Sequence, residues 1–434
     1  MLRSLYSGIS GLKNHLVELD VIGNNISNVN TVGFKKSRVT FKDVLYQTLR
    51  SAMAPTGNLG GINPMEIGTG MQLGAIDTIF TQGTPQMTGK NTDMMIQGDG
   101  FFVISDGTGY YYTRAGAFAM DSNGTFVDPS TGYVLQGWAA SIKGDGTVAV
   151  DTTSLVPIQV EVGEKLPGKE TSRIDLGCNL DASASIGTAY TTWTQIYDSL
   201  GNTHDLKISV TKVGGNRWFV GWVLTYETSS GSIGIAASGS LAVLNFGSNG
   251  LLDATNDVAS VMTIPANAAT SSIYSGATLP QSIKVYFAHK GDAIHGVTQF
   301  ASDFTMSAKY VDGYPMGVLK DFTVDQSGLV SGVYSNGRTK PLYKLAIAVF
   351  NNPAGLNKVG NTLFAESYNS GTAQLKFAGS GGAGIVLQGY LEMSNVDIAE
   401  EFVNMIVAQR GFQANTRVIT TADESLRDLL ALKR

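Results

Sequence analysis

The chain has 434 residues, enough for two or three domains with sizeable cores. Charged residues make up only 15% of it, against roughly 25% in an average soluble domain, and the net charge of −5 comes without a long run of lysine or arginine, which excludes a typical nucleic-acid-binding protein. No stretch reaches about 18 consecutive apolar residues, which excludes a membrane-spanning helix.

The two ends of the chain carry matched helical patterns. Apolar residues alternate steps of three and four near the N-terminus and recur every seven residues near the C-terminus. The positions are Leu2, Leu5, Ile9, Leu12, Leu16 and Leu19 at one end and Ile398, Met405, Phe412, Ile419 and Leu426 at the other. A seven-residue repeat makes a narrow apolar stripe that is buried only against other helices. The two ends are therefore predicted to pair as a coiled coil and to serve assembly.

The first helix is predicted to end between residues 20 and 36, in a run rich in Asn and Gly, because both residue types tolerate left-handed backbone. Helical spacing resumes over residues 35–50 through Val39, Leu45 and Leu49, which favours a helix there. Residues 51–74 are rich in Gly and carry few charges, so they are interpreted as an extended connector that lets the layers on either side shift.

From about residue 75 the apolar period changes to two, and short strand patterns alternate with turn dipeptides. Asp-Gly and Asn-Gly mark tight hairpins because both central residues of the favoured turn need a positive φ. The turn signals are Asp99-Gly100, Asp106-Gly107, Asn123-Gly124, Thr131-Gly132, Asp145-Gly146, Asp325-Gln326-Ser327-Gly328 and Ser335-Asn336-Gly337. This spacing predicts antiparallel strands in a sandwich or barrel.

Residues 161–316 are richer in Ser, Thr and Ala and are interpreted as a second β-domain inserted into the first. Strands are predicted there around Trp193–Tyr197, Leu206–Val210, Trp218–Leu224 and Ile283–Phe287. The fold class is thus multidomain and mainly β, with helical termini and two nested antiparallel β-domains. The predicted parts are a terminal helical domain of residues 1–30 and 395–434, a connector of 31–74 and 389–394, an inner β-domain of 75–160 and 317–388, and an outer β-domain of 161–316.

Several motifs resemble signatures of the bacterial flagellar rod and hook protein family. At the termini these are Ser7–Leu12, Ile22–Lys35, Leu391–Ile398 and Asn404–Asn415, and between them lie Gly98–Val103, Tyr112–Phe118 and Tyr334–Gly337. Long motifs at opposite termini in the right order make the resemblance specific, and it covers most of the chain outside the insert. Within the insert, Tyr197–Leu206 is similar to the start of the outer domain of the hook members of the family.

The resemblance implies a structural subunit of the flagellar hook, rather than an enzyme, that polymerises with itself into a flexible tube and transmits motor torque to the filament. The family's paired terminal helices line the tube, and its subunits are exported unfolded through the flagellar channel, which agrees with an N-terminus lacking the apolar core of a cleaved signal peptide. The implied partners are other copies and the other axial proteins of the rod, hook cap and hook–filament junction. The implied location is the flagellar basal body and hook, outside the cell or, in a spirochaete, in the periplasm. No cofactor, nucleic acid or membrane insertion is implied.

Cys178 is the only cysteine, so no disulfide can form within the chain. By itself it fits either a buried free thiol or a covalent link between subunits. The Cys178-Asn179 context resembles spirochaete hook proteins, which implies that the cysteine becomes dehydroalanine and that a lysine amine of the adjacent subunit adds to it, giving lysinoalanine. Lys165 matches the family's lysine. Unperturbed pKa values of about 10.4 and 8.5 leave both groups mostly protonated at pH 7, so the site is expected to activate them, with Asn179 as a candidate hydrogen-bond donor.

Other patterns predict little chemistry. Residues 379–384 have the G-x-G-x-x-G spacing, but strand-like Ile385-Val386-Leu387 follows where a dinucleotide site needs a helix. The four histidines are scattered, so no metal site is predicted. Three alternatives stay open: a distal rod-type flagellar protein, a secreted β-rich adhesin or fibre protein, and a polysaccharide-degrading enzyme, which would need a carboxylate pair in a cleft.

Overall fold

A computed structural model describes residues 2–55, 57, 60–143, 147–227, 233–253, 256–266, 268–292 and 294–431. The turn predicted at Asp145-Gly146 lies outside these residues. The chain divides into two compact units: unit 1 comprises residues 1–161, 322–332 and 340–434, and unit 2 comprises residues 162–321 and 333–339. Within the described ranges, no helix is long and apolar enough to cross a membrane.

The helices are α1 (Leu2–Ser27), α2 (Ala268–Ile273) and α3 (Ile398–Ala431). The helix α1 ends inside the Asn- and Gly-rich run, as the sequence predicts, and Gly33 beyond it has a φ of 69°. The helix α3 begins after Asp397, whose carboxylate accepts hydrogen bonds from the backbone N–H groups of Ala399 and Glu400. The two terminal helices predicted from the apolar stripes are therefore confirmed.

The helix expected over residues 35–50 is wrong, because this segment forms two strands. The strands of the connector region are β1 (Ser37–Asp43), β2 (Tyr46–Arg50), β3 (Met65–Gly68) and β4 (Met71–Thr78). Antiparallel pairing joins β1 to β4 and β2 to β3, with Val39 opposite Ile76. β-Branched residues such as Val39 favour strands, and the cross-strand pairing outweighs a helical spacing that rests on only three apolar positions. The connector thus runs out and back as a paired ribbon.

The first β-region of unit 1 follows this ribbon. Its strands are β5 (Pro85–Met87), β6 (Met94–Gln97), β7 (Phe101–Ser105), β8 (Tyr110–Thr113), β9 (Ala119–Met120), β10 (Phe126–Val127), β11 (Val134–Ile142), β12 (Val148–Val150) and β13 (Val156–Pro157). Hairpin pairing of β7 with β8 is antiparallel, and Gly107 in the turn between them has a φ of 91°. The short strands and tight turns agree with the period-two pattern of this region.

Apart from its first short strand, which pairs with residues 317 and 318, unit 2 contains two sheets that pack around one apolar core. Its strands are β14 (Lys165–Leu166), β15 (Arg173–Asp181), β16 (Ala189–Tyr197), β17 (Thr203–Gly214), β18 (Arg217–Glu227), β19 (Ile233–Asn245), β20 (Val258–Ile264), β21 (Gln281–Ala288), β22 (Val297–Phe300) and β23 (Ser307–Val311). One sheet has the antiparallel order β16-β17-β18-β19, and the other has the order β20-β21-β15-β22 with β23 also paired to β15. Within the described residues neither sheet closes into a barrel.

The second sheet of unit 2 is mixed, which departs from the all-antiparallel expectation. Strand β15 runs parallel to both β21 and β22 and antiparallel to β23. Turn dipeptides indicate only the pairing of strands that follow each other in sequence. Strands β21 and β22 are far from β15 in sequence, and parallel pairing requires a crossover connection. The local pattern therefore carried no signal for these two pairings.

The chain then continues through strands that lie mostly in unit 1, although residues 317–321 of the first of them belong to unit 2. They are β24 (Gly317–Val324), β25 (Leu329–Tyr334), β26 (Thr339–Leu345), β27 (Ile347–Val349), β28 (Asn357–Gly360), β29 (Leu363–Ala365), β30 (Gln374–Lys376), β31 (Ile385–Gln388) and β32 (Tyr390–Glu392). In unit 1 the sheet has the order β26-β11-β7-β8-β29-β28. Its core includes Phe101, Tyr112, Trp138, Phe350 and Phe364. The glycine-rich residues 379–384 lead into β31, a strand, as the sequence indicates.

Candidate functional site

The terminal helices α1 and α3 pack against each other in antiparallel directions. Successive contacts move forward along α1 and backward along α3. The facing pairs are Gly8 with Ile419, Gly11 with Asn415, His15 with Gly411, and Asn25 with Glu401. This arrangement places the first and last parts of the chain side by side in unit 1.

Glycines set the close approach of the two helices. A Cβ atom added to Gly11 would lie 2.6 Å from the side chain of Asn415, and one added to Gly8 would lie 3.2 Å from Cγ1 of Ile419. On the other helix, a Cβ at Gly411 would lie 2.7 Å from Nε2 of His15. Larger residues at these positions would push the helices apart. The sequence analysis missed this role, although two glycines three positions apart inside a helical pattern are a signal for close packing.

The predicted stripe residues only partly form this contact. Leu5, Ile9, Leu12 and Leu19 on α1 and Met405, Phe412, Ile419 and Leu426 on α3 are half-buried. Leu16 is 50% exposed and Ile398 is 45% exposed, so these two do not belong to the buried seam of the subunit. The side chain of Leu2 lies outside the described residues. The fully buried positions of α1 are instead Gly8, Gly11, Ile22 and Asn25.

A second apolar row on α3 faces away from the pair. Phe402, Val403, Ile406 and Val407 are each at least half exposed. Large apolar side chains placed together on one exposed helix face mark an interaction surface. One face of α3 is therefore covered within the subunit, and another is left for a partner.

A buried ionic cluster ties the terminal segments to the first β-region, and we call it the Glu392 cluster (Lys35, Arg114, Glu392 and Asn395). The carboxylate of Glu392 lies 2.6 Å from Nζ of Lys35 and 3.4 Å from Nη1 of Arg114, and the Lys35 and Glu392 side chains are fully buried. Burial lowers the pKa of the Lys35 ammonium and of the Arg114 guanidinium. Lys35, Arg114 and Glu392 come from three different motifs of the sequence analysis, so these motifs meet at one point.

Cys178 lies on β15 and faces the apolar core of unit 2. It is 8% exposed and packs in the same cluster as Leu176 and Leu180. Burial raises the pKa of the Cys178 thiol to about 12, although the nearby Lys309 ammonium acts in the opposite direction. Within the single subunit, desolvation therefore outweighs the effect of the cation on the pKa of this thiol.

The structure places Lys165 and Asn179 on different strands. Lys165 is an exposed residue of β14, which pairs with β24, and it lies opposite Val318. The side-chain amide of Asn179 donates to the carbonyl oxygens of Phe300 and Ser302, and its oxygen accepts from the Phe300 N–H. Asn179 thus fixes the turn after β22, next to the strand that carries Cys178.

Lys309 is a neighbour of Cys178 that the sequence analysis missed. Its aliphatic stem lies over Gly177, where any side chain would collide with it, and its ammonium donates to the His295 carbonyl at 2.7 Å. Sequence spacing gave no signal because Lys309 reaches this position through the pairing of β23 with β15. Lys309 is therefore a nearby amine of the same subunit, but it covers the face of β15 at Gly177 and not the core face that holds the Cys178 thiol.

The burial of Cys178 predicts slow alkylation of the folded subunit. Only a thiolate reacts with iodoacetamide, and a thiol with a pKa near 12 is almost entirely protonated at pH 8, whereas an unfolded thiol with a pKa of about 8.5 is not. We expect labelling at pH 8 to be on the order of a thousandfold slower in the folded subunit than in urea, since the thiolate fractions differ by about that factor. Between pH 8 and 11 the folded rate should rise about tenfold per pH unit, because the thiolate fraction does so below the pKa. Equal rates in both states would contradict the placement of this side chain.

Family models match four parts of the chain. They are described as "Flagella basal body rod protein" over residues 5–35, "Flagellar hook protein FlgE/F/G D1 domain" over residues 95–165, "Flagellar basal body protein FlaE D2 domain" over residues 166–314, and "Flagellar basal body rod FlgEFG protein C-terminal" over residues 387–432. The first and last matches cover most of α1 and α3, and the third covers most of unit 2.

Full-length relatives share the same description. The chain is 40% identical to the flagellar hook protein FlgE of Borreliella burgdorferi and 38% identical to that of Treponema pallidum, and each alignment covers 100% of both chains. Among solved structures, the flagellar hook protein FlgE2 of Helicobacter pylori superposes with a TM-score of 0.50 at 16% identity, over 71% of this chain and 100% of that one. This last likeness concerns the fold alone.

Proposed function

The chain belongs to the flagellar hook protein family and is a structural subunit of the hook, and we propose that it polymerises through its paired terminal helices into the flexible tube that transmits motor torque to the filament. The observation that carries this proposal is that α3 has two apolar faces, of which the subunit covers only one. One of its faces is covered by α1, while Phe402, Val403, Ile406 and Val407 remain exposed on another. A further copy that covered this row would bury apolar surface at every subunit added.

Each proposed layer of the tube except the outermost combines one N-terminal and one C-terminal part of the chain. Residues 1–30 and 395–434 would form the inner wall, residues 75–160 and 317–388 the inner β-layer, and residues 161–316 the outer β-layer. The connector of 31–74 and 389–394 would join the wall to the β-layers. Besides other copies, the proposed partners are the axial proteins of the rod, the hook cap and the hook–filament junction.

The pairing of the connector limits where layers could shift. The β1–β4 half of the ribbon is tied to α1, because Asn14 donates to the carbonyl of Met71 and Asn25 donates to the carbonyl of Ser37. The β2–β3 half exposes Leu45, Tyr46 and other apolar side chains along its length. We therefore assign any sliding between neighbouring subunits to the β2–β3 half.

We further propose that Cys178 and Lys165 of adjacent subunits form lysinoalanine. A base removes the Cα proton of Cys178, the Cβ–S bond breaks and hydrosulfide leaves, which converts the residue to dehydroalanine. The neutral amine of Lys165 then adds to Cβ, and a proton returns to Cα, so that hydrogen sulfide is the only product lost. The raised pKa of the thiol supports this route, because a protonated sulfur departs as hydrosulfide whereas a thiolate would have to depart as the sulfide dianion.

The proposed roles of the other groups follow from their positions. Lys165 is exposed on β14 and is open to a neighbouring subunit. Asn179 supports the site by holding the turn after β22 rather than by activating the thiol. The subunit would thus be no enzyme for an external substrate, and its only chemistry would be this self-linkage.

Removal of α3 tests the polymer assignment. We expect the protein without residues 398–434 to keep its β-strands, because unit 2 has its own core, and to form no tubes in electron micrographs, because the exposed row and the partner of α1 are both lost. An adhesin or fibre protein built on its β-domains would still assemble after this deletion. Tubes of normal diameter from the shortened protein would contradict the assignment of the inner wall.

A further inference from the structure

We infer that the Glu392 cluster is a folding interlock, which lets the N-terminal segment dock on the first β-region only after the C-terminal segment has arrived there. This inference rests on contacts within unit 1 and does not depend on the proposed crosslink. Lys35 lies just beyond α1, and Glu392 is the last residue of β32, shortly before α3 begins. Their side chains meet in the interior with a separation of 2.6 Å.

Charge compensation makes the docking of Lys35 depend on Glu392. Lys35 and Arg114 are two buried cations, and Glu392 is the carboxylate that contacts both. A buried cation that loses its only close anion costs far more than an exposed one, because water cannot replace the partner. Before β32 is in place, burying Lys35 would leave its ammonium with only the Thr81 carbonyl, 2.7 Å away, among the partners that the described residues provide. The N-terminal segment would therefore not stay docked alone.

Backbone hydrogen bonds make the same segment depend on Glu392 and Asn395. The N–H of Gly33 donates to the carbonyl of Glu392 at 2.8 Å, and the N–H of Lys36 donates to the side-chain oxygen of Asn395 at 2.8 Å. Both donors lie in buried or half-buried residues, where an unpaired N–H is costly. We call residues 33–36, which lead out of α1, the strap. The C-terminal segment thus supplies the strap with a carboxylate for Lys35 and with acceptors for the N–H groups of Gly33 and Lys36.

The C-terminal segment also completes the β-region beneath the strap. The amide of Asn395 donates to the carbonyl of Ile79 and to the hydroxyl of Thr81, and the Glu392 carboxylate accepts from the Gly83 N–H at 2.9 Å. These contacts do not involve the strap, so residues 392–395 can settle on the β-region first. The order of docking is therefore C-terminal segment first and N-terminal strap second.

This order has a consequence for assembly. In an incomplete chain α1 can lie against the β1–β4 half of the ribbon, but residues 33–36 would remain undocked until residues 392–395 are in place. An incomplete chain would accordingly offer no paired helices and could not enter a polymer as a defective subunit. With this interlock, α1 and α3 pair only in a complete chain.

Hydrogen exchange of the full-length protein tests the interlock. In Glu392→Gln the anion is lost while the shape is kept, so the amides of residues 33–36 and of the last turn of α1 should exchange at least about tenfold faster. The amides of β11 and β26, which lie in the sheet of unit 1 and contribute no residue to the Glu392 cluster, should keep their wild-type rates. The matched control is Glu400→Gln, which removes the exposed partner of Lys36 and should leave the exchange of residues 33–36 within about twofold of wild type.

The double variant Lys35→Met/Glu392→Gln removes the buried cation together with its anion. It should recover part of the protection that Glu392→Gln loses at residues 33–36, because the Lys35 ammonium is removed and only the Arg114 guanidinium is left without its carboxylate. Wild-type exchange of residues 33–36 in Glu392→Gln, or equal acceleration in β11 and β26, would overturn the interlock. Exchange in the double variant as fast as in Glu392→Gln would overturn it as well, because charge compensation would then not be the cause.

Discussion

Assembled subunits boiled in detergent and reductant are expected to run as a ladder of covalent multimers, because the secondary amine of lysinoalanine survives both treatments. Cys178→Ala and Lys165→Arg should each abolish the ladder completely. Arginine keeps the charge and the reach of lysine but cannot supply a neutral amine at accessible pH. Loss of the ladder in Lys165→Arg would therefore report the missing amine and not a change in subunit packing. Both variants should still form tubes, because non-covalent contacts build the polymer before the bond closes.

Lys309→Arg is the matched control for this experiment. Lys309 lies beside Cys178 in the same subunit, whereas Lys165 is exposed on a strand that is not paired with β15. If Lys165 of a neighbour is the donor, Lys309→Arg should keep its ladder. A loss of the ladder in Lys309→Arg alone would reassign the amine. A ladder that reductant dissolves would mean a disulfide, and monomers alone after polymerisation at mildly alkaline pH would show Cys178 to be only a core thiol.

The sequence predicts the elements whose signals are local and repeated. Two helical termini follow from the apolar stripes, and α1 stops at Ser27 inside the predicted run, where Gly33 has a positive φ but the Asn residues do not. The prediction of a helix over residues 35–50 was wrong, because three apolar positions can satisfy a helical period by chance. The pairing partner of Val39 lies in another strand and leaves no mark on this local spacing. Long-range pairing also hid the parallel neighbours of β15. A local pattern carries no information about such partners.

For the candidate sites, too, the sequence predicts what depends on local patterns and misses what depends on long-range contacts. The heptad positions predict that α3 is an assembly helix. They do not reveal that glycines of α1 provide the close contact with α3 or that Leu16 and Ile398 stay exposed. The motif match singled out Cys178, yet alternation along β15 turns the thiol into the core and raises its pKa. Glu392 and Lys35 lie inside recognised motifs at opposite ends of the chain. Only the folded structure brings them within 2.6 Å.

Gly11→Leu is expected to abolish tube formation while leaving the β-domains folded. A side chain at this position would collide with Asn415, since even a Cβ atom would lie 2.6 Å from its amide. Overpacking of this kind costs about 1–3 kcal/mol at each site. The cost recurs in every subunit of a polymer, so a modest penalty in the helix pair should remove assembly altogether. Electron microscopy measures the tubes, and circular dichroism checks the strands.

Gly23→Leu provides the matched control, because it makes the same substitution in the same helix where a Cβ atom would meet nothing within 4 Å. Both substitutions raise the intrinsic helix propensity of α1 by roughly 0.8 kcal/mol, so propensity alone would predict the same small gain in each. The two variants therefore differ in whether the new side chain enters the contact with α3. Normal tubes from Gly23→Leu and none from Gly11→Leu would identify the glycine-lined contact as the element on which assembly depends. Normal tubes from both would show that the polymer tolerates separated helices and that the inner wall is built on other contacts.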